Sequence, residues 1–154
     1  MKEIQLSQDK VALVDDIDFA YLNQWKWCLH SGGYATRRLN EGIYIYMHRI
    51  ILPPPIGMQI DHINHNGLDN RRCNLRICTM SQNIANSRLR SDNTSKHKGI
   101  YWNKNVSKWQ VAITFLGKEI YLGIFDDIDE ASQAYAKKAK ELFGEFANAE
   151  GISK

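Results

Sequence analysis

This chain is poor in the residues that staple a fold or span a membrane. It has three cysteines, Cys28, Cys73 and Cys78, with no CxxC pair among them, which argues against both a disulfide framework and a four-thiolate zinc site. Free, mostly buried thiols are expected. The only prolines, Pro53, Pro54 and Pro55, stand together, so they can end one element and break no other. Nowhere does an apolar run approach the roughly 20 residues that cross a bilayer. The opening MKEIQLSQDK also lacks the apolar stretch of a signal peptide. These absences predict a cytoplasmic protein with no membrane partner. Charge of one sign is scarce too: a net +3 over 154 residues is too little for tight nonspecific attachment to a polyanion.

A hydrophobic content of 44% can fill one ordinary core or a few small ones, and the patterning suits several small modules better. The modest charge is unevenly spread. Residues 1–47 carry five Lys/Arg against six Asp/Glu, residues 48–95 six against three, and residues 96–154 nine against eight. All six cations of the middle segment are arginines, whose planar fork suits phosphate better than the point charge of lysine.

The first segment reads as short strands over 4–6 and 10–14, an acidic turn at Asp15-Asp16, and an aromatic stretch holding Tyr21, Trp25 and Trp27. Trp25 and Trp27 read as packing residues. Gly32-Gly33 predicts a hairpin turn, and residues 34–36 pair with 43–51 across a loop over 37–42, the second strand ending at the prolines. After them come a strand over 58–62, a polar loop over 63–72 and a strand over 74–78. Thr79 to Gln82 then has the spacing of a capping box, which predicts a helix over 80–89. Residues 90–97 read as a linker.

Within residues 61–86, DHINHNGLDNRRCNLRICTMSQNIAN, a carboxylate and an imidazole are adjacent and asparagines follow at fixed distances. Asp61, His62, Asn74 and Asn83 read as one metal-dependent nuclease site. A near-neutral imidazole can take a proton from water, and a hard oxygen ligand beside it can hold Mg²⁺ against a phosphodiester. Asp69 and Asn70 read as loop braces, because such side chains bond nearby backbone. His48 is placed on the strand leading in, and His65 in the loop. Arg71, Arg72 and Arg76 are candidate phosphate clamps. Read as isolated residues, the same stretch would be no more than a polar hairpin.

This run, with T-x-x-x-N after it and MHRII before it, resembles the HNH endonuclease family in the form found in phage and intron-encoded homing enzymes, over residues from about 46 to 88. The resemblance implies His62 as general base, Asp61 and Asn83 as ligands of one divalent metal, and Asn74 as the residue that orients His62 and ties the loop to the second strand. Mg²⁺ is the expected ion, Mn²⁺ the alternative, with no structural zinc. A neutral His62 is required, so activity is expected to fall below about pH 6 to 6.5.

The last segment alternates in period two: Ile100 and Trp102, then Trp109, Val111 and Ile113, then Ile120 and Leu122 fall on one face, Trp102 and Trp109 as core. From residue 128 to 143 the apolar residues move to helical spacing, and Gly144 is placed to end the helix. The outward face would carry Tyr101, Asn103, Gln110, Ala112, Thr114, Glu119 and Tyr121. Residues 97–148 are similar to the plant ethylene-response-factor (AP-two) DNA-binding domain, at Gly99, Trp102, Lys108, Trp109, Ile113, Leu122, Gly123, Phe125, the helix alanines, Tyr135, Gly144, Phe146 and Ala147. By that likeness the sheet would lie in the major groove. Tyr101, Asn103, Thr114 and Tyr121 would face the DNA, and Lys98, Lys104, Lys108 and Lys118 would hold phosphates. The plant domains place arginines where this chain has Tyr, Asn, Thr and Glu, so base preference does not transfer.

The reading is therefore an α+β protein: a β-rich N-terminal module over 1–47, a ββα-metal nuclease core over 48–90, a linker over 91–96 and a three-stranded antiparallel sheet packed on one helix over 97–148. The expected function is a metal-dependent endonuclease acting on double-stranded DNA, nicking one strand as a monomer or weak dimer in a phage or bacterial host cell. The alternative is a catalytically silent DNA-binding protein that keeps the nuclease fold.

Overall fold

The computed structural model describes residues 1–40 and 42–149. By its internal contacts the chain forms two units, Met1–Thr79 and Met80–Lys154. It is an α+β fold of small antiparallel sheets and few helices.

In the first unit β1 (Lys2–Gln5) pairs with β2 (Val11–Val14), and α1 (Asp16–Leu22) follows. Then β3 (Cys28–Leu29), β4 (Ala35–Asn40) and β5 (Ile43–Tyr46) form a three-stranded sheet in that order. After α2 (Met47–Ile51), β6 (Gln59–His62) pairs with β7 (Leu75–Cys78), which a 3₁₀ turn at Arg72–Asn74 introduces.

Three expectations fail here. The acidic turn and aromatic stretch contain α1, whose first turn carries Asp16 and Asp18 where the helix dipole favours anions. Its Leu22 is fully buried, Phe19 packs against the same core, and the Leu22 carbonyl accepts a 2.9 Å bond from Trp27 Nε1. The strand expected over 43–51 ends at Tyr46, and MHRII turns helical so that Met47 and Ile51, one turn apart, both enter the core. Burial overrides the β-propensity of that run. The loop expected over 37–42 is largely β4, which pairs with β5 from Thr36↔Tyr46 to Asn40↔Ile43.

One core serves this whole unit. Ile4, Leu6, Val14, Leu22 and Trp27 from the N-terminal part join Met47 and Ile51 of α2 and Ile60 and Leu75 of the β6–β7 hairpin. Residues that read as a separate lead-in module thus form the floor on which the hairpin rests. Each fully buried aliphatic side chain contributes on the order of 2 kcal/mol.

The second unit opens with α3 (Met80–Asn86), which stops three residues short of the expected helix. Turns cover the predicted linker. The strands β8 (Ile100–Asn103), β9 (Lys108–Phe115) and β10 (Lys118–Phe125) form an antiparallel sheet with β9 central, and α4 (Ile128–Phe143) packs on it. Asp127 caps α4 by accepting from the backbone N–H groups of Asp129 and Glu130 at 2.8 and 3.0 Å. Gly144, at φ 55°, ends it as expected. Gly99 is required by space as well as by its φ of 63°: a Cβ there would meet the Ala112 carbonyl and the Tyr135 ring. Ile100, Val111 and Ala131 are buried between sheet and helix, with Trp109, Leu122 and Phe125 against them. Trp102 departs from the expected face pattern. It stands 46% exposed on an edge strand, edge-on to Trp109 at 5.0 Å. Ala112, expected outward, is buried on the central strand opposite Tyr121.

Candidate active site

Asp61 and His62 close β6, where antiparallel pairing sets Asp61 opposite Arg76 and His62 opposite Leu75. Both are nearly inaccessible, at 5% and 6% exposed. Burying a charge is costly unless it is paired. Asp61 meets this cost through Arg76, whose Nε and Nη2 both lie 2.8 Å from Asp61 Oδ2.

Residues 63–74 between the strands hold themselves by asparagine and aspartate side chains. Asn64 N–H donates to Asn74 Oδ1 (3.0 Å), Asn64 Nδ2 to Asp69 Oδ2 (2.8 Å), and Asn74 Nδ2 to the Asp69 carbonyl (2.8 Å). The loop is also fixed to β2. Leu13 N–H donates to the Leu68 carbonyl and Asn70 N–H to the Leu13 carbonyl, each at 2.8 Å. Gly67 presses on the β3–β4 turn so closely that a Cβ would meet the Gly33 carbonyl and the Tyr34 ring. The bracing expected of Asp69 is present in its side chain, whereas Asn70 braces through its backbone N–H, which reaches the N-terminal hairpin as local sequence could not indicate.

Asn74, next to β7, braces the loop through Asn64 and Asp69. An amide also meets the imidazole: Asn70 Oδ1 lies 3.4 Å from His62 Nε2, and Asn70 is fully buried. Aromatic rings complete the surroundings. His48 lies 5.1 Å from His62, edge-on, and Tyr34 5.7 Å, with Tyr46 against both His48 and Tyr34. His48 sits on α2 rather than on a strand, is buried, and its Nδ1 has no partner among the described residues. Sequence reading missed Tyr34 and Asn70 as neighbours of His62, and Tyr46 as a neighbour of His48. The YIYMHR run was the one available sign, and it looks like an ordinary strand.

Burial is the main force on these imidazoles. Desolvation lowers the pKa of His62 below the usual histidine value, with the Asn70 bond and the charges of Asp61 and Asp69 pulling the other way. His48, also desolvated and facing His62, falls to about 3. Both rings are therefore neutral at pH 7. The bond from Arg71 is the largest cause holding the Asp69 carboxyl below its ordinary value.

The candidate phosphate clamps are engaged inside the unit. Arg71 donates to both Asp69 oxygens at 2.7 and 2.6 Å, and Arg72 to both Asp18 oxygens at 2.8 and 2.7 Å while its backbone N–H bonds Asp15. With Arg76 on Asp61, all three arginines have partners inside the first unit. Of the cysteines only Cys78 is buried, which corrects the expectation of mostly buried thiols. Among the described residues no three His, Cys, Asp or Glu side chains gather in metal-binding range. The donors at hand are a carboxylate and amide oxygens, hard ligands suited to Mg²⁺ or Mn²⁺. The carboxylate already attracts a cation, the Arg76 guanidinium, so the place fits positive charge.

Asn83 lies on α3, in the second unit. Of the residues expected to face DNA there, Tyr101, Lys104, Thr114, Lys118 and Tyr121 are exposed. Three others are occupied. Lys98 Nζ donates to the Ala85 carbonyl at 2.8 Å, and burial lowers its pKa to about 8. Lys108 pairs with Asp126 at 2.9 Å, and Asn103 donates to Gln110 Oε1 at 2.8 Å.

Compared with known proteins, residues 53–85 match the HNH endonuclease family, an interval that contains Asp61, His62, Asn70, Asn74 and Asn83. An uncharacterized HNH endonuclease of Acanthamoeba polyphaga mimivirus is 32% identical over 130 residues, covering 82% of this chain and 67% of that protein. Protein 3.8 of Escherichia phage T7 is 34% identical over 95 residues, covering 62% of this chain and 78% of that protein. No solved structure matches the chain.

Proposed function

The chain belongs to the HNH endonuclease family, and on that premise we propose that it is a metal-dependent DNA endonuclease that nicks one strand, with His62 as general base and Asp61 as metal ligand. The observation that carries this reading is the pairing, at the end of β6, of a buried neutral imidazole with a buried carboxylate that attracts a cation. The part of Asn83 as a further oxygen ligand rests on the motif's spacing alone.

The residues divide the chemistry as follows. An amide oxygen only accepts, so Asn70 Oδ1 near Nε2 favours the tautomer that carries its proton there, which leaves Nδ1 with the lone pair that takes a proton from water. Tyr34 and His48 hold the ring against rotation, and the loop braced by Asn74 and Asp69 carries Asn70 to its place. Mg²⁺ or Mn²⁺, when bound, supplies Lewis-acid charge to the phosphate and to the departing oxygen. The exposed sheet face of the second unit, with Tyr101, Thr114 and Tyr121 flanked by Lys104 and Lys118, is proposed to bind double-stranded DNA.

Incubation of supercoiled plasmid with the purified full-length protein and Mg²⁺, Mn²⁺ or EDTA tests the reading. Metal-dependent nicking that disappears in His62→Ala supports it. Nicking that persists in the variant removes His62 from the reaction. DNA binding without nicking under every metal favours the silent DNA-binding alternative.

A further inference from the structure

Arg76 was expected to clamp phosphate, yet it is only 13% exposed and both its Nε and its Nη2 reach one oxygen of Asp61. Pairing across the β6–β7 ladder fixes this contact, since Asp61 and Arg76 are direct register partners. The pair is therefore a built feature of the hairpin rather than a chance surface ion pair. Its position on the proposed metal ligand has an electrostatic consequence. A divalent ion brought to Asp61 must either displace a unit positive charge or bind beside it, and both weaken its binding in a poorly solvated place.

We propose that Arg76 is the resident counter-cation of the metal site: it neutralises and orients Asp61 while the site lacks metal, and it competes with the divalent ion for that carboxylate. The inference rests on Asp61 being a metal ligand. Arg76 is in this sense a positioning residue. With Arg76 on it, the carboxylate is held in place but metal affinity is reduced. Metal occupancy would then depend on further negative charge entering the site, which the phosphate of bound DNA provides.

The test is Mn²⁺ binding to the full-length protein without DNA, with the free ion counted by electron paramagnetic resonance. Arg76→Gln should bind Mn²⁺ at least about tenfold more tightly, because a unit charge within hydrogen-bonding distance of the ligand is gone. Arg76→Lys keeps the charge and should stay within about threefold of wild type. Unchanged or weaker binding in a folded Arg76→Gln overturns the proposal, as does equal tightening in both variants. The wild-type protein gives a second readout that needs no substitution. The Arg76 Nε–H resonance should shift as Mg²⁺ is titrated, and a signal unmoved at saturation overturns the competition. Asp61→Asn separates the two levels: lost Mn²⁺ binding upholds Asp61 as ligand, whereas unchanged binding overturns that assignment and the Arg76 inference with it.

Discussion

In the first unit the three motif arginines are each tied to a carboxylate, Arg71 to Asp69, Arg72 to Asp18 and Arg76 to Asp61. In the second unit Lys104 and Lys118 stand exposed near a sheet face that also exposes Tyr101, Thr114 and Tyr121. The contrast separates two uses of polar residues. Groups that must act on one atom are buried, bonded and held in one geometry, at the cost of being unavailable to anything else. The exposed groups proposed to reach DNA are left hydrated, where a charge contributes little to stability and can act on association.

The sharpest way to break this contrast is His62→Ala, which should reduce nicking by about a hundredfold to ten-thousandfold while DNA affinity, measured by gel shift, stays unchanged. An equal loss of binding would show that the first unit's polar residues also hold substrate. Core substitutions probe the same difference through stability. Met47→Ala, at a fully buried position of the shared core, should cost about 2 to 5 kcal/mol in chemical denaturation. Trp102→Ala on the half-exposed edge should cost less, and comparable losses would mean that the edge tryptophan belongs to a core after all. Asn74→Ala removes a side chain that satisfies the Asn64 N–H and the Asp69 carbonyl, and should cost about 1 to 3 kcal/mol.

Desolvation lowers the pKa of His62, so the neutral base survives acidification further than a free histidine would. Nicking should therefore decline with a midpoint below the ordinary histidine value of about 6.5. A decline centred at or above 6.5 in the nicking pH profile would contradict the burial seen here. The smallest effect is expected at the sheet. Lys104→Ala and Lys118→Ala should each lower the salt slope of DNA binding by roughly one, with nicking of pre-bound DNA unaffected. Slopes equal to wild type would take the sheet out of the DNA contact.

Sequence alone made the alternating strands and amphipathic helix of the second unit legible, because period two and period 3.6 are properties of consecutive residues. It also identified the Asp61-His62 pair and the bracing asparagines, because turn chemistry is local. It could not show that α1 and α2 are helices. Their sequences favour extended structure weakly, and only the core reached by Leu22, Met47 and Ile51 decides otherwise. Nor could it show that Asn70 meets His62, that Tyr34 and His48 flank it, or that Arg76 sits on Asp61. These are contacts between residues distant in the chain or across a ladder, fixed by strand register and by the attachment of the loop to β2 through Leu13. The sequence by itself determined which chemical groups are available, while the tertiary structure decided which of them are spent on each other.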